Sequence, residues 1–175
     1  EGDDFWTDPL KLQQQFDFLE KNSDYILTFH DILMIDADGN NIEKDRLPDK
    51  DKKDYEKDEL LTGPYLPTPT LFFRKFDITN YVTAFSKAFN GDSLLLSILT
   101  QKGKTKYLPE IVGSVVRLHS GGVWSSTTYL DRWNHSLNTA QVIFGILDSK
   151  RRASSYDHFI KAFEMAAWDA DYYQS

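Results

Sequence analysis

Glu1-Gly2-Asp3-Asp4-Phe5-Trp6-Thr7-Asp8-Pro9-Leu10-Lys11-Leu12-Gln13 opens the chain and sets the frame for everything after it. Three carboxylates fall within the first four residues, directly ahead of a helix start. Clustered carboxylates suit a hard divalent cation such as Mg²⁺ or Mn²⁺, which prefers oxygen ligands and keeps positions open for substrate phosphates. Acids just before a helix also compensate its dipole, an ordinary use that needs no ligand. Asp8-Pro9 reads as an N-cap followed by proline at the first helical position. Leu12, Phe16 and Leu19 then recur at helical spacing to about Asn22, between polar Lys11, Gln14 and Glu20, which predicts an amphipathic helix with those three as its apolar stripe. No Met precedes Glu1, so the expectation is a chain cut from something longer, with the cut passing through the acidic group.

Further along, Tyr25-Ile26-Leu27-Thr28-Phe29 and Ile32-Leu33-Met34-Ile35 are apolar and β-rich, predicting one or two strands. They end at Asp36-Ala37-Asp38-Gly39-Asn40, a turn signal. Its acids have the look of a calcium loop, but Gly39 falls too early and no Glu closes it, so a plain turn is expected. Residues 43–59 are almost wholly Lys, Asp and Glu around Pro48, as in a solvated surface segment. In Thr62-Gly63-Pro64-Tyr65-Leu66-Pro67-Thr68-Pro69, three prolines keep the approach to the strand Thr70-Leu71-Phe72-Phe73 extended.

Helices are expected over 78–89 and then from Asp92 through Leu94-Leu95-Leu96-Ser97-Ile98-Leu99, with Gly103 as a left-handed cap. Tyr107-Leu108 and Ile111-Val112-Gly113-Ser114-Val115-Val116 read as one last strand bent at Pro109, followed by an Arg117–Gly122 loop. Two tail helices, over 127–147 and 156–172, carry aromatic stripes that include Tyr129, Trp133, Phe159, Phe163 and Trp168. Strands alternating with helices indicate an α/β fold with a mixed or parallel sheet.

Composition narrows the function classes. With 175 residues the chain is one domain, or one with an appendage, and 41% hydrophobic residues supply a core. A net charge of −7 argues against a general nucleic-acid binder, whose phosphate contacts need clustered Lys and Arg. The absence of Cys removes disulfides, thiolate metal sites and a Cys nucleophile, and fits a reducing cytoplasm. No apolar run approaches the roughly 20 residues that span a bilayer. Among the histidines, His30, His135 and His158 show no i,i+4 zinc pairing, and Ser114 and Ser120 lack a nucleophile elbow.

Two acidic stations remain, Glu1/Asp3/Asp4 and Asp92. Taken alone, Asp92 reads as a simple N-cap, although a carboxylate at a helix mouth beside Gly91 is also open enough to accept a proton from a bound hydroxyl.

The opening stretch resembles the metal motif and following helix of bacterial family 2 glycosyltransferases with the GT-A fold. The resemblance continues in order through Pro64-Tyr65, Phe73-Arg74, Asn90-Gly91-Asp92, Tyr107-Leu108-Pro109-Glu110 and Val116-Arg117-Leu118-His119-Ser120-Gly121-Gly122. It implies a partial GT-A fold, with a mixed sheet, flanking helices and a C-terminal helical tail. Residues 1–124 would be the acceptor-side half of the domain and 125–175 a helical extension.

By the same resemblance, Asp3 and Asp4 would contact the nucleotide ribose and hold Mg²⁺ or Mn²⁺ against the donor diphosphate. Glu1 would join them, although many relatives have Asp there. Asp92 would be the base that deprotonates the acceptor hydroxyl in an inverting transfer, and Arg117 and His119 would support the donor or the metal. The implied partners are a nucleotide-sugar, with UDP the commonest carrier, and a glycan or lipid-linked acceptor in surface polysaccharide synthesis. The implied place is cytoplasmic, at the inner face of the membrane. Because that family keeps its base-binding strands ahead of the acidic motif, this polypeptide alone is expected to bind the donor poorly and to turn over little or nothing. Two other classes stay open: a non-catalytic interaction or oligomerisation module with docking aromatics after Thr127, and a metal-dependent phosphoryl transferase, which lacks a P-loop here.

Overall fold

The computed structural model describes residues 3–42, 47–122, 126–157 and 159–160. The α/β class and the mixed strand pairing expected from the sequence are present, divided between two three-stranded sheets. In the first, β6 (Ser114–Arg117) is central, antiparallel to β1 (Phe5–Trp6) and parallel to β3 (Leu33–Ile35). In the second, β2 (Tyr25–Phe29) is central, antiparallel to β4 (Phe72–Phe73) and parallel to β5 (Lys104–Tyr107). Four helices are α1 (Lys11–Lys21), the short α2 (Val82–Phe85), α3 (Gly91–Thr100) and α4 (Tyr129–Ile146), and 149–157 and 159–160 are helical as well. No helix among the described residues is long and apolar enough to cross a membrane.

The helix α1 begins two residues later than Pro9, because Asp8 first closes a turn. Its Oδ1 accepts the Leu10 N–H at 2.7 Å and its carbonyl accepts that of Lys11 at 3.2 Å. The stripe expected to be buried is corrected here. Lys11, Gln15 and Leu19 face inward, whereas Leu12 and Phe16 are 40% and 47% exposed. Polar pairing selects that rotation. Gln15 Nε2 donates to Thr28 Oγ1 at 3.0 Å in β2 and to the Thr70 carbonyl at 2.8 Å, while its Oε1 accepts from Lys11 Nζ at 2.9 Å. The Lys11 ammonium also lies 4.5 Å from the Trp6 ring centroid. A buried polar group costs little only when it is bonded, so this network fixes which face α1 presents.

Beside this network His30 is fully buried. Its Nδ1 donates to the Asp31 carbonyl at 2.6 Å, and its Nε2 is buried without a partner among the described residues. Burial pushes the imidazole down to about 4, against the Asp31 hydrogen bond, with the Lys11 charge lowering it further. Burial likewise pushes the Lys11 ammonium down to about 8, opposed by Asp8.

Three further expectations are corrected. The stretch 107–116 is not one bent strand but the end of β5 and the start of β6, which lie in different sheets. Leu108 N–H closes the second sheet on the Phe29 carbonyl at 2.9 Å, and the chain then crosses to the first sheet, where Gly113 accepts from Thr7 N–H at 3.1 Å. The helix expected over 78–89 shrinks to a 3₁₀ turn, Thr79–Tyr81, followed by α2, in which only Ala84 is buried. With so little apolar area to bury, a longer helix there gains no packing.

Gly103 is not a left-handed cap either: a Cβ there would stand 2.7 Å from the Asp24 carbonyl oxygen and 3.2 Å from Ile26 Cβ, so its role is close approach between backbones. The charged stretch is also better anchored than its composition suggests. Leu47 and Tyr55 are buried, and Tyr55 exchanges two 2.9 Å backbone bonds with Thr105.

A main core between β2 and α3 includes Leu27, Phe29, Leu47, Tyr55, Leu66 and Leu99. A second joins α3 to α4 through Leu94, Ile98, Ile143, Leu147 and Phe159. The second tail helix begins earlier than expected, since 149–157 and 159–160 are helical, whereas His158, Phe163 and Trp168 lie outside the described residues.

Two outcomes follow. Gly103→Ala should lose about 1–3 kcal/mol in chemical denaturation, because backbone must move to admit the methyl group. His30 binds its proton less readily folded (about 4) than at its ordinary 6.5, so its contribution to stability is present above pH 6.5 and is lost as pH falls toward 4. Denaturation midpoints between pH 7 and 4 should therefore fall less steeply in His30→Asn than in the parent.

Candidate functional site

The pairing of β1 with β6 sets Phe5 opposite Val115 and Trp6 opposite Ser114, so the residues just before β1 run alongside those just after β6. Asp3 Oδ2 sits 2.7 Å from His119 Nε2. The Arg117 N–H donates to Asp4 Oδ1 at 3.2 Å. Four of the residues singled out in sequence, Asp3, Asp4, Arg117 and His119, are thus brought together across more than 110 positions of chain. The site is half-open: the Asp3 and His119 side chains are 30% and 34% exposed. The His119 hydrogen bond is the main reason the Asp3 carboxyl is held below its ordinary value.

The parallel neighbour β3 adds a third component. Arg117 Nη1 donates to the carbonyls of Asp36 at 3.2 Å and Ala37 at 3.1 Å, tying β6 to the turn after β3. That turn is self-supporting. Asp36 Oδ1 accepts from the N–H groups of Asp38 at 2.9 Å and Asn40 at 2.8 Å, and Gly39 takes φ +91°. The plain-turn reading of 36–40 holds, and much of the Arg117 guanidinium is engaged with backbone.

Asp92 lies in the first turn of α3, one residue inside the helix, with Asn90 at the cap position and Gly91 leading. Its Oδ1 accepts the Ser93 N–H at 2.7 Å. The approach to this turn is clamped from α4. Phe89 N–H donates to Asn138 Oδ1 at 3.1 Å, Asn90 N–H donates to Thr139 Oγ1 at 2.9 Å, and the Phe89 and His135 rings stack with centroids 3.2 Å apart. Among the described residues no hydrogen bond or ion pair joins Asp92 to the Asp3/His119 group.

A single segment touches both regions. Gly63 and Pro64, joined by a cis peptide bond, line a cavity with Asn90 and Ser93. Pro69, at the segment's far end, accepts from Trp6 Nε1 and Ser114 Oγ, each at 3.0 Å. None of the α4 contacts had a sequence signal, since Asn138 and Thr139 are 49 residues from the groups they hold.

Asp3 and Asp4 are the members of the expected metal set that the structure describes. Each presents one carboxylate oxygen to a neighbour and has a second oxygen to offer, and Mg²⁺ is commonly held by one or two carboxylates completed by phosphates and water. Glu1 lies outside the described residues, and among those described no group of three or more His, Asp or Glu is placed to hold a metal.

Uncharacterized proteins of Mycobacterium bovis and Mycobacterium tuberculosis are 31% identical to this chain over 132 residues. The match covers 75% of this chain but 37% of each relative, so the chain spans little more than a third of their length. No family model and no solved structure matches.

Replacing His119 with Phe removes the main group that holds down the Asp3 carboxyl, which should then titrate nearer its ordinary value. A ¹³C NMR titration of the Asp3 carboxyl reads this directly, and an unmoved midpoint would break the Asp3–His119 assignment.

Proposed function

We propose that this chain is the acceptor-side portion of an inverting, metal-dependent glycosyltransferase of family 2 with a GT-A fold, acting in glycan or surface polysaccharide assembly at the cytoplasmic side of a membrane. The observation that carries this is the β1–β6 pairing, which sets Asp3 against His119 and Asp4 against Arg117 N–H. The order of the motifs along the chain supports it. So does the placement of Asp92 in the first turn of a helix whose mouth is braced from two sides.

On this reading Asp3 and Asp4 hold Mg²⁺ or Mn²⁺ with the diphosphate of a nucleotide-sugar, UDP-linked by analogy. Glu1 would be a further ligand. The bound ion supplies positive charge against the departing diphosphate. His119 orients the Asp3 carboxylate through their 2.7 Å contact, and its imidazole keeps that carboxylate ionised. Arg117 fixes the turn beside the acids and adds a cation near the donor phosphates.

Asp92 accepts the proton of the acceptor hydroxyl as its oxygen bonds to the anomeric carbon. The bond from that carbon to the diphosphate oxygen breaks on the opposite face, inverting the configuration. The Ser93 N–H bond to Asp92 Oδ1 directs the carboxylate for this task.

In the full-length protein, Asp92→Asn should lower transfer by at least about 10²-fold, the scale of general-base catalysis, with donor affinity nearly unchanged. Asp4→Asn should instead weaken donor binding and raise the Mn²⁺ concentration needed for half-maximal rate. Product analysis with radiolabelled nucleotide-sugars measures both. Unchanged turnover in Asp92→Asn removes it from the base role, and transfer of phosphate rather than sugar overturns the class.

A second reading, an interaction module, is favoured by apolar side chains left in solvent: Trp6 is 54% exposed, Leu10 60%, Tyr129 48% and Leu130 46%. Sedimentation velocity distinguishes it, since a monomer with no lipid association speaks against docking.

A further inference from the structure

The cavity beside Asp92 has a composition unlike that of the acidic station. It is a half-open hollow of about 240 Å³ between α3, α4 and the 60–65 segment. Among the described residues no carboxylate, amine, guanidinium or imidazole lines it, and the one titratable side chain they place on its wall is the phenol of Tyr65. A charged ligand entering such a wall would shed hydration without gaining a counter-charge, which is costly. An uncharged ligand meets no such penalty.

The wall has two characters. Pro64, Leu96, Ile143 and Phe159 supply apolar area, and Asn90, Ser93 and Ser136 supply amide and hydroxyl groups. A ring with a C–H face and a rim of hydroxyls is complementary to both at once. Size restricts the choice further, because sites for drug-sized ligands run to about 300–1,000 Å³ and this one falls below that range.

Position then ties the cavity to the candidate chemistry. Asn90 and Ser93, two of its lining residues, bracket Asp92 in sequence, and Ser93 N–H donates to the Asp92 carboxylate. On the other side α4 contributes Ser136, Thr139, Ala140 and Ile143, and Thr139 also holds the Asn90 backbone. The same helix therefore shapes the cavity and fixes the turn that bears Asp92.

We propose that this cavity binds one uncharged sugar ring, with α4 supplying the residues that select it. Naming that ring as the acceptor's terminal residue rests on the transferase reading above; the binding itself does not.

The test is saturation-transfer NMR on the full chain with the methyl glycosides of glucose, galactose and N-acetylglucosamine. A parallel series uses n-hexanol and glucose 6-phosphate as apolar and charged probes. The expected result is millimolar binding of at least one methyl glycoside, weakened at least tenfold in Ala140→Phe, whose ring fills the cavity. Circular dichroism checks that this variant is folded, and Ser136→Leu, at an exposed position, carries the test if it is not.

Saturation transfer to none of the glycosides, equal binding in the folded filling variant, or preference for hexanol or the phosphate would each overturn the proposal. Glycoside binding by this chain without any sugar transfer by the full-length protein would defeat the transferase reading and leave the binding site standing. Transfer that persists unaltered in Ala140→Phe would leave the transferase reading standing and overturn the naming of this ring as the acceptor's.

Discussion

A two-residue antiparallel rung, Phe5 and Trp6 against Val115 and Ser114, is the contact on which the arrangement of this molecule depends. It joins chain segments more than 100 residues apart and closes one edge of a sheet whose other edge is β3. From it follow the nearness of Asp3 to His119, the capture of Asp4 by the Arg117 N–H and, through Trp6, a bond to the Pro69 carbonyl. Two rungs alone are weak. They hold because neighbouring groups repeat the link: Ser114 Oγ also bonds Pro69, and Thr7 N–H bonds the Gly113 carbonyl.

The second organising element is the buried polar face of α1. Lys11 and Gln15 sit where an amphipathic helix would place aliphatic side chains, and each is bonded. Gln15 reaches both β2 and the carbonyl of Thr70, so one amide aligns the helix with the second sheet and with the proline segment. Groups of this kind favour one arrangement over others more than they add stability. The consequence is that Leu12 and Phe16 face solvent. Hydrophobic spacing marked the helix correctly but misjudged its rotation.

Carboxylates, an imidazole and a guanidinium collect around the end of β6, whereas the cavity by α3 and α4 is lined by neutral groups. Linking the two is one continuous stretch, from the cis Gly63-Pro64 bond to the Pro69 carbonyl.

Local chemistry in the sequence was enough for several features. The presence of α1, the Asp36–Asn40 turn and its glycine, and the start of α4 near Thr128 all depend on contacts within a few residues, where side-chain type and spacing decide the outcome. The acids and the Arg117–His119 pair could likewise be singled out as chemical groups. Their meeting could not be read from periodicity, because it depends on strand pairing across more than 110 residues.

The separation of the strands into two sheets, the rotation of α1, the close approach at Gly103 and the grip of α4 on Phe89 and Asn90 were decided only by the tertiary structure. Each turns on which distant surface a segment packs against. Local sequence carries no term for that choice, which belongs to the whole chain burying its polar and apolar groups together.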